Sequence, residues 1–155
     1  MKDPALALSR FGRTLDQALC AAAATQPERE ICGLIGAATG RVPSIYPIPN
    51  RAADPRRRYS MDPTAQIAAF KTMRTRDETL AAIYHSHPHG TAVPSRRDCR
   101  EWTYPEALCL IVGLGGGIPH LRAWRWSAVG FAPVCLQTER PDLLPKPLCQ
   151  PRLSP

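Results

Sequence analysis

The sequence predicts a single α/β domain, and three observations lead to this fold class. The chain has 155 residues, a length that suits one domain. Hydrophobic residues make up 44% of it, so the chain can bury a core and most of it is expected to fold. Segments with helical periodicity occur alongside short apolar runs that are typical of strands. We therefore expect helices packed against a β-sheet.

The first predicted helix covers residues 14–24. Its apolar side chains follow the i, i+3, i+4, i+7 spacing of one buried helix face. These side chains are Leu15, Ala18, Leu19 and Ala22. Thr14 is the expected N-cap, since a threonine hydroxyl can accept a hydrogen bond from a free N–H of the first turn.

The second predicted helix begins at the pair Asp62-Pro63 and extends to about Thr75. Asp62 is a typical N-cap, and proline is favoured at the first helical position because its missing N–H is not needed there. We expect this helix to bury Ile67 and Phe70.

Six short apolar runs predict strands. They are residues 31–38, 41–48, 80–84, 107–114, 120–126 and 128–136. The run 107–114 is unbroken and apolar, as expected of a central strand. Pro43 and Pro47 restrict the second run to a sheet edge, where it would pair with the first as a hairpin, because proline donates no ladder hydrogen bond.

Composition limits the cellular setting and the partners. The formal net charge is +7, which favours acidic partners, but no nucleic-acid-binding signature is present. No run approaches the roughly 20 apolar residues of a membrane helix, and charged residues interrupt the alanine-rich N-terminal stretch before it can form a signal peptide. We expect a cytoplasmic protein with free thiols at its six cysteines, and with no nucleic-acid or membrane partner. The domain is expected to span residues 1–136, and the proline-rich tail 137–155 to be extended or disordered.

The segment His85-Ser86-His87-Pro88, followed by Ser95 and Asp98, has the pattern of a metal site. In extended backbone, residues i and i+2 point to the same side, so both imidazoles can reach one ion. A loop returning Asp98 would complete a three-ligand set that leaves a fourth position open for water, as in catalytic zinc sites.

Ordinary structural roles compete with this interpretation. The histidines could make hydrogen bonds at a strand end, and Ser95-x-x-Asp98 is also a common helix start. The two roles of Asp98 are compatible, because a helix start would hold its carboxylate still. Residue spacing alone leaves the choice open.

A hydrolase also needs a general base. Glu30 is the first candidate, because it stands at the start of a buried strand, where a carboxylate requires a reason. Glu28 and Glu101 remain alternatives, although their polar surroundings are typical of a solvated surface.

Three segments together resemble the JAMM motif of the JAB/MPN-domain metalloproteases, in particular its short bacterial branch. They are Glu30-Ile31-Cys32-Gly33-Leu34-Ile35-Gly36, His85-Ser86-His87-Pro88 and Ser95-Arg96-Arg97-Asp98. Asn50, Tyr59 and Met61-Asp62-Pro63 are also similar to that branch, and the resemblance covers roughly residues 15–136.

The resemblance implies a concrete fold and mechanism. The fold would be a curved mixed β-sheet flanked by helices, similar to the cytidine deaminases. His85, His87 and Asp98 would hold Zn²⁺, Glu30 would be the general acid/base, and Ser95 would donate a hydrogen bond to the oxyanion. The reaction would be peptide or isopeptide cleavage after the C-terminal Gly-Gly of a ubiquitin-like or sulfur-carrier protein.

Two other functions remain as alternatives, and the oligomeric state stays open. A non-catalytic MPN-type interaction module is the first, although such relatives typically lack some ligands and this chain lacks none. A deaminase is the second, but its His-x-Glu and Pro-Cys-x-x-Cys signatures are absent from the sequence.

Overall fold

A six-stranded sheet forms the centre of the structure, a computed structural model that describes residues 3–136. The strands are β1 (Cys32–Ala37), β2 (Ser44–Ile48), β3 (Thr79–His87), β4 (Leu108–Gly113), β5 (His120–Ser127) and β6 (Gly130–Val134). Their order across the sheet is β2-β1-β3-β4-β5-β6. Only β3 and β4 pair in parallel, and the other neighbours are antiparallel. The prediction of a mixed sheet with six strands is confirmed.

Four helices accompany the sheet in the described part of the chain. They are α1 (Pro4–Ser9), α2 (Gly12–Ala24), α3 (Pro63–Thr75) and α4 (Arg96–Glu101). None of them is long and apolar enough to cross a membrane. The proline-rich tail 137–155 lies outside the described residues.

The two faces of the sheet bury different cores. Along β4, Leu108, Leu110 and Val112 join the core under α1 and α2, while Cys109 and Ile111 face the opposite side. The alternation follows from the period of two in an extended strand. Along β3, Tyr84 belongs to the α1/α2 core and Ile83 packs on the side of α3. His85 and His87 therefore lie on the face opposite α1 and α2.

The edge positions follow the proline pattern. β2 contains Pro47 and pairs only with β1, as predicted. At the other edge, β6 contains Pro133 and pairs only with β5. The apolar strand β4 lies inside the sheet between β3 and β5, which confirms the prediction of a central strand.

Several details differ from the sequence predictions. Helix α2 begins at Gly12, and its N-cap is Phe11, with no side-chain capping bond, so the expected cap at Thr14 is wrong. Helix α3 does begin at Asp62-Pro63, where Asp62 accepts a hydrogen bond from the N–H of Thr64.

Helix α3 and the cysteines give two further corrections. The helix packs through Ala69 and Met73, whereas Ile67 is 57% exposed and the expectation that it is buried is wrong. Cys135 is disulfide-bonded, so the prediction of free thiols fails there. The free cysteines of residues 3–136 are Cys20, Cys32, Cys99 and Cys109.

Candidate metal centre

The end of β3 places two imidazoles side by side. His85 is fully buried and His87 is partly buried, and their Nε2 atoms lie 3.1 Å apart. The alternation of the strand puts both rings on one face, with Ser86 pointing to the other. Ser86 Oγ accepts a hydrogen bond from the N–H of Ile31 at 2.9 Å, which ties this part of β3 to the start of β1.

Asp98 reaches the two imidazoles from the first turn of α4. Its Oδ1 lies 3.2 Å from Nε2 of His85, and its Oδ2 lies 3.4 Å from Nε2 of His87. A capping box fixes the carboxylate: the N–H of Ser95 donates to Asp98 Oδ2 at 2.6 Å, and the N–H of Asp98 donates to Ser95 Oγ at 3.1 Å. The helix start and the convergence with the histidines therefore coexist, as the sequence suggested they could.

Hydrogen bonding fixes which nitrogen of His87 is free. Its Nδ1 lies 2.8 Å from the carbonyl oxygen of Thr91, and a carbonyl only accepts, so Nδ1 carries the hydrogen. The Nε2 lone pair of neutral His87 then faces His85 and Asp98. In metal sites, a hydrogen bond of this kind at the other ring nitrogen orients a histidine ligand. His85 Nδ1, by contrast, is buried with no hydrogen-bond partner in the described structure.

The three side chains shift one another's pKa values. Burial alone would raise the pKa of Asp98, but hydrogen bonds with His85 and His87 hold it well below its usual range. Burial lowers the pKa of His85 and favours its neutral form. Burial would also lower the pKa of His87, but its hydrogen bonds with Asp98 and with the backbone of Thr91 raise it. The centre thus combines a firmly ionised carboxylate with imidazoles whose acceptor nitrogens converge, and such a group can hold a cation.

Glu30 lies beside this group, two residues before the start of β1. The antiparallel register pairs Cys32 with His85, and extending it by two residues brings Glu30 next to His87. Glu30 is 6% exposed, and burial raises the pKa of its carboxyl to about 7. A buried carboxyl that exchanges its proton near neutral pH suits general acid/base chemistry.

The alternative bases occupy different surroundings. The side chain of Glu28 is 68% exposed and forms an ion pair with Arg56 at 2.5 Å. The side chain of Glu101 is 65% exposed and lies 3.8 Å from Arg97. Neither is desolvated, so the structure separates Glu30 from both on burial.

A cleft of about 530 Å³ opens onto these groups. Its lining includes Glu30, His87, Ser95 and Asp98. Ser95 is exposed there, and its Oγ accepts from the N–H of Asp98, so the hydroxyl proton is free to donate into the cleft. All five residues singled out from the sequence, including the buried His85, therefore meet in one place.

The protein-family comparison agrees with this geometry. Residues 13–127 match the family model described as prokaryotic homologs of the JAB domain, which is most of the chain. The chain belongs to the prokaryotic JAB family. The resemblance noted from the sequence is thereby confirmed, and so is the mixed α/β fold that it implied, while the likeness to cytidine deaminases stays a prediction.

Three curated relatives of this JAB-family chain are named as a desampylase, a probable conjugate cleaving protease and a peptidase. The desampylase of Haloferax volcanii is 29% identical over 76% of this chain and 84% of its own length. The probable TtuB-protein conjugate cleaving protease of Thermus thermophilus is 41% identical over 48% of this chain and 53% of its own length. The CysO-cysteine peptidase of Mycobacterium bovis is 32% identical over 62% of this chain and 67% of its own length.

A solved structure supports the fold of the JAB-family chain directly. The solution structure of a Desulfitobacterium hafniense protein superposes with a TM-score of 0.68 and is 28% identical. It covers 79% of this chain and 87% of that one. The fold is therefore shared with a solved structure over most of the chain.

Two residues of the loop before α3 support the site more directly than sequence reasoning indicated. The ring of Tyr59 stacks on His85 with centroids 4.7 Å apart. Asn50 uses its whole amide: Nδ2 donates to the carbonyls of Glu30 and Arg58, and Oδ1 accepts from the N–H groups of Ala52 and Ser60. Only their place in the family resemblance pointed to these residues, since hydrogen bonds across 20 residues leave no local pattern in the sequence.

Two other side chains of types that bind metals lie near the group but do not join it. His89 is exposed and lies 3.9 Å from the carboxylate of Glu28. Cys32 Sγ donates to the carbonyl of Ile48 instead. Within residues 3–136, the cluster able to hold a metal ion consists of His85, His87 and Asp98.

Proposed function

We propose that this protein is a zinc-dependent peptidase or isopeptidase that cleaves after the C-terminal Gly-Gly of a ubiquitin-like or sulfur-carrier protein. The observation that carries the proposal is the meeting of a His-His-Asp group, a buried glutamate and a free serine hydroxyl in one cleft of a JAB-family chain. The named activities of the relatives support the same reaction class.

The donor set fits zinc. Zinc binds imidazole nitrogen and carboxylate oxygen tetrahedrally at about 2.0–2.2 Å, so two of its ligand atoms should be about 3.3–3.5 Å apart. The two Nε2 atoms lie 3.1 Å apart, and Asp98 approaches them through different oxygens, with Oδ1 3.2 Å from His85 and Oδ2 3.4 Å from His87, which is close to this spacing. His85, His87 and Asp98 would hold the ion and leave a fourth position open toward the cleft. Zinc bound there would act as a Lewis acid that polarises the scissile carbonyl and acidifies water.

Glu30 would transfer the protons. Its carboxylate form takes a proton from the attacking water, and its acid form gives a proton to the nitrogen of the leaving amine. Burial supports both halves of this task, because a pKa raised to about 7 leaves comparable amounts of acid and base at neutral pH. Asn50 would position Glu30 by holding its backbone carbonyl.

Ser95 would stabilise the oxyanion of the tetrahedral intermediate. Its Oγ is oriented by the N–H of Asp98 and its proton is free, so the hydroxyl can donate to an oxygen that gains negative charge. Because Ser95 is also the N-cap of α4, the same residue fixes the helix that carries Asp98.

Cleavage of carrier proteins tests the proposal. The zinc-loaded protein is incubated with the ubiquitin-like and sulfur-carrier proteins of its own cell, and their C-termini are followed by mass spectrometry. We expect extended or conjugated carriers to be trimmed to the Gly-Gly end, a chelator to stop the reaction, and added zinc to restore it. Ser95→Ala should lower kcat about 10²–10³-fold, whereas Ser95→Thr keeps both the hydroxyl and the cap and should retain more activity.

Two results would contradict the proposal. Carriers that remain intact under every metal condition would rule out the peptidase. A purified protein that contains no zinc and loses no thermal stability with chelator would favour the non-catalytic interaction module.

A further inference from the structure

A second pocket of about 540 Å³ adjoins the cleft and is lined mainly by arginines. We call it the arginine pocket. Its arginines are Arg57, Arg58, Arg96, Arg97 and Arg100. They come from two places, the loop before α3 and the helix α4, so the fold gathers positive charge that is dispersed in the sequence.

Most of this charge is not neutralised within the described structure. Among residues 3–136, only Arg97 of these five has a carboxylate within ion-pair distance, that of Glu101 at 3.8 Å. Asp54 is the one carboxylate that lines the pocket. Neighbouring arginines differ, since Arg56 and Arg51 each pair with an acid.

The arrangement costs stability unless an anion offsets it. Arg96 and Arg100 lie one turn apart on α4 and are both exposed, and like charges with this spacing repel. Arginine also matches carboxylates better than lysine does, because its planar fork can donate two parallel hydrogen bonds. A set of unpaired guanidinium groups around one pocket is therefore suited to acidic side chains.

The arginine pocket is continuous with the cleft. Arg57, Arg58, Arg97 and Ser95 line both. A protein whose C-terminal tail enters the cleft must therefore hold its folded body close to this pocket. The pocket lining contains no aromatic ring on which a nucleic-acid base could stack.

We infer that the arginine pocket docks an acidic surface on the folded body of the carrier protein whose tail enters the cleft. The inference rests on the proposed function and specifies its substrate: the carrier is acidic beside its C-terminal tail. The pocket thus selects among proteins that share the same Gly-Gly end, and it accelerates encounter by charge attraction.

Binding to an uncleavable product tests the inference. The probe is an acidic sulfur-carrier protein of ubiquitin fold that ends at its Gly-Gly, and its Kd for the zinc-loaded protein is measured by calorimetry. Arg96→Glu with Arg100→Glu should weaken binding about tenfold or more, and high salt should reduce the difference. The matched control is Arg10→Glu with Arg13→Glu, which makes the same charge change at exposed positions near the α1–α2 junction and should alter Kd less than about twofold.

Three outcomes would overturn the inference. They are an unchanged Kd for the α4 variant, equal weakening by the control variant, and tighter binding of a single-stranded oligonucleotide that depends on the same two arginines. Arg57 lies on the loop before α3 and not on α4. Arg57→Glu therefore provides a second variant if the α4 double variant does not fold. It should weaken binding in the same direction.

The design separates this inference from the proposed function. Product binding needs no turnover, so a protein that binds the carrier through these arginines but never cleaves it refutes the peptidase alone. The docking surface alone is refuted by a different result. In that result, the wild type cleaves the carrier protein and its isolated tail peptide with the same kcat/KM, and the α4 variant does so as well.

Discussion

Two glutamates, the buried Glu30 and the partly buried Glu78, lie near opposite ends of β1 and have contrasting surroundings. Glu78, with a side chain 4% exposed, lies against Gly36 near the end of the strand. Its carboxylate accepts hydrogen bonds from Ser44 at 2.7 Å, Tyr46 at 2.5 Å and Arg76 at 3.0 Å. Glu30, 6% exposed, precedes the strand, and its carboxylate accepts no hydrogen bond from residues 3–136.

Hydrogen-bond partners and depth of burial together give the two glutamates opposite pKa shifts. Burial would raise the pKa of Glu78, but the hydrogen bonds from Tyr46 and Ser44 and the charge of Arg76 hold it below its usual value. At Glu30 no hydrogen bond opposes burial, which outweighs the charges of His87 and Arg97, and the pKa rises to about 7. A buried carboxylate with all its partners stabilises the fold, whereas a buried carboxylate without them is available to transfer protons.

The largest expected effect comes from exchanging each carboxylate for an amide. Glu30→Gln should lower kcat for carrier cleavage by about 10²–10⁴-fold, because the amide cannot transfer a proton. Glu78→Gln should leave kcat within about twofold but reduce the free energy of unfolding by about 1–3 kcal/mol. Activity is measured well below both unfolding temperatures, and stability by urea denaturation.

The contrast between Glu30 and Glu78 is contradicted if the loss of kcat and the loss of stability do not fall on different variants. A Glu30→Gln variant with wild-type kcat would remove the proton-transfer role. A Glu78→Gln variant that folds normally but loses kcat would show that the second glutamate also acts on the reaction.

The next effect is on stability as a function of pH in the metal-free protein. The pKa of Glu30 is about 7 in the folded chain and about 4.5 unfolded. The folded state therefore binds the proton more tightly, and the stability that this contributes is lost as pH rises from about 4.5 to 7. Glu30→Gln never ionises, so it should be more stable than the wild type by on the order of 3 kcal/mol at pH 8. The difference should shrink toward pH 5.

Glu78→Gln supplies the control with the opposite sign. The folded-state pKa of Glu78 is lowered, so its stabilisation is present above the unfolded pKa and is lost as pH falls. That variant should be less stable than the wild type at pH 8 and approach it in acid. Urea denaturation in chelator at pH 8 measures the signs of both effects, and it is repeated at pH 5 for Glu30→Gln and below about pH 4.5 for Glu78→Gln. Like signs at pH 8 would contradict the comparison.

Sequence patterns predicted the sheet well because the residues within each strand reflect how deeply that strand is buried. The unbroken run of β4 and the prolines of β2 indicated interior and edge positions that the structure has. Helix α1 was missed, although Asp3-Pro4 is the same kind of start as Asp62-Pro63. Six residues are too few to display a helical period.

Other features depend on packing that no local pattern records. Helix α3 offers apolar residues on two faces, and the structure buries the small Ala69 and the flexible Met73 in place of Ile67. The role of Gly36 is similar, since a Cβ there would lie 2.5 Å from Glu78 Oε2. Both choices are made by elements distant in sequence.

In the candidate site, too, some residues are predictable from local sequence and others only from the fold. The residues His85, His87, Ser95 and Asp98 are close in sequence, so their spacing alone suggested a metal group. Glu30 lies 55 residues before His85, and spacing could not separate it from Glu28 until the structure showed which one is buried. The shape of the arginine pocket also depends on the fold, because its arginines at positions 57–58 and within 96–100 are far apart in the sequence and line one pocket in the structure.

The smallest expected effect comes from removing the hydrogen bond between Tyr46 and Glu78, which should account for part of the difference between Glu78 and Glu30. Tyr46→Phe removes the donor to Glu78 Oε2, while Ser44 and Arg76 continue to bind Oε1. We expect a loss of about 1 kcal/mol in the free energy of unfolding at pH 8, no change in kcat, and a smaller loss in acid, where Glu78 is protonated. Tyr104→Phe removes a hydroxyl that only accepts a 3.4 Å bond from Gln66, so it should cost less than Tyr46→Phe. Equal losses from the two variants would mean that the hydroxyl of Tyr46 adds nothing specific, and that Ser44 and Arg76 are the partners that distinguish Glu78 from Glu30.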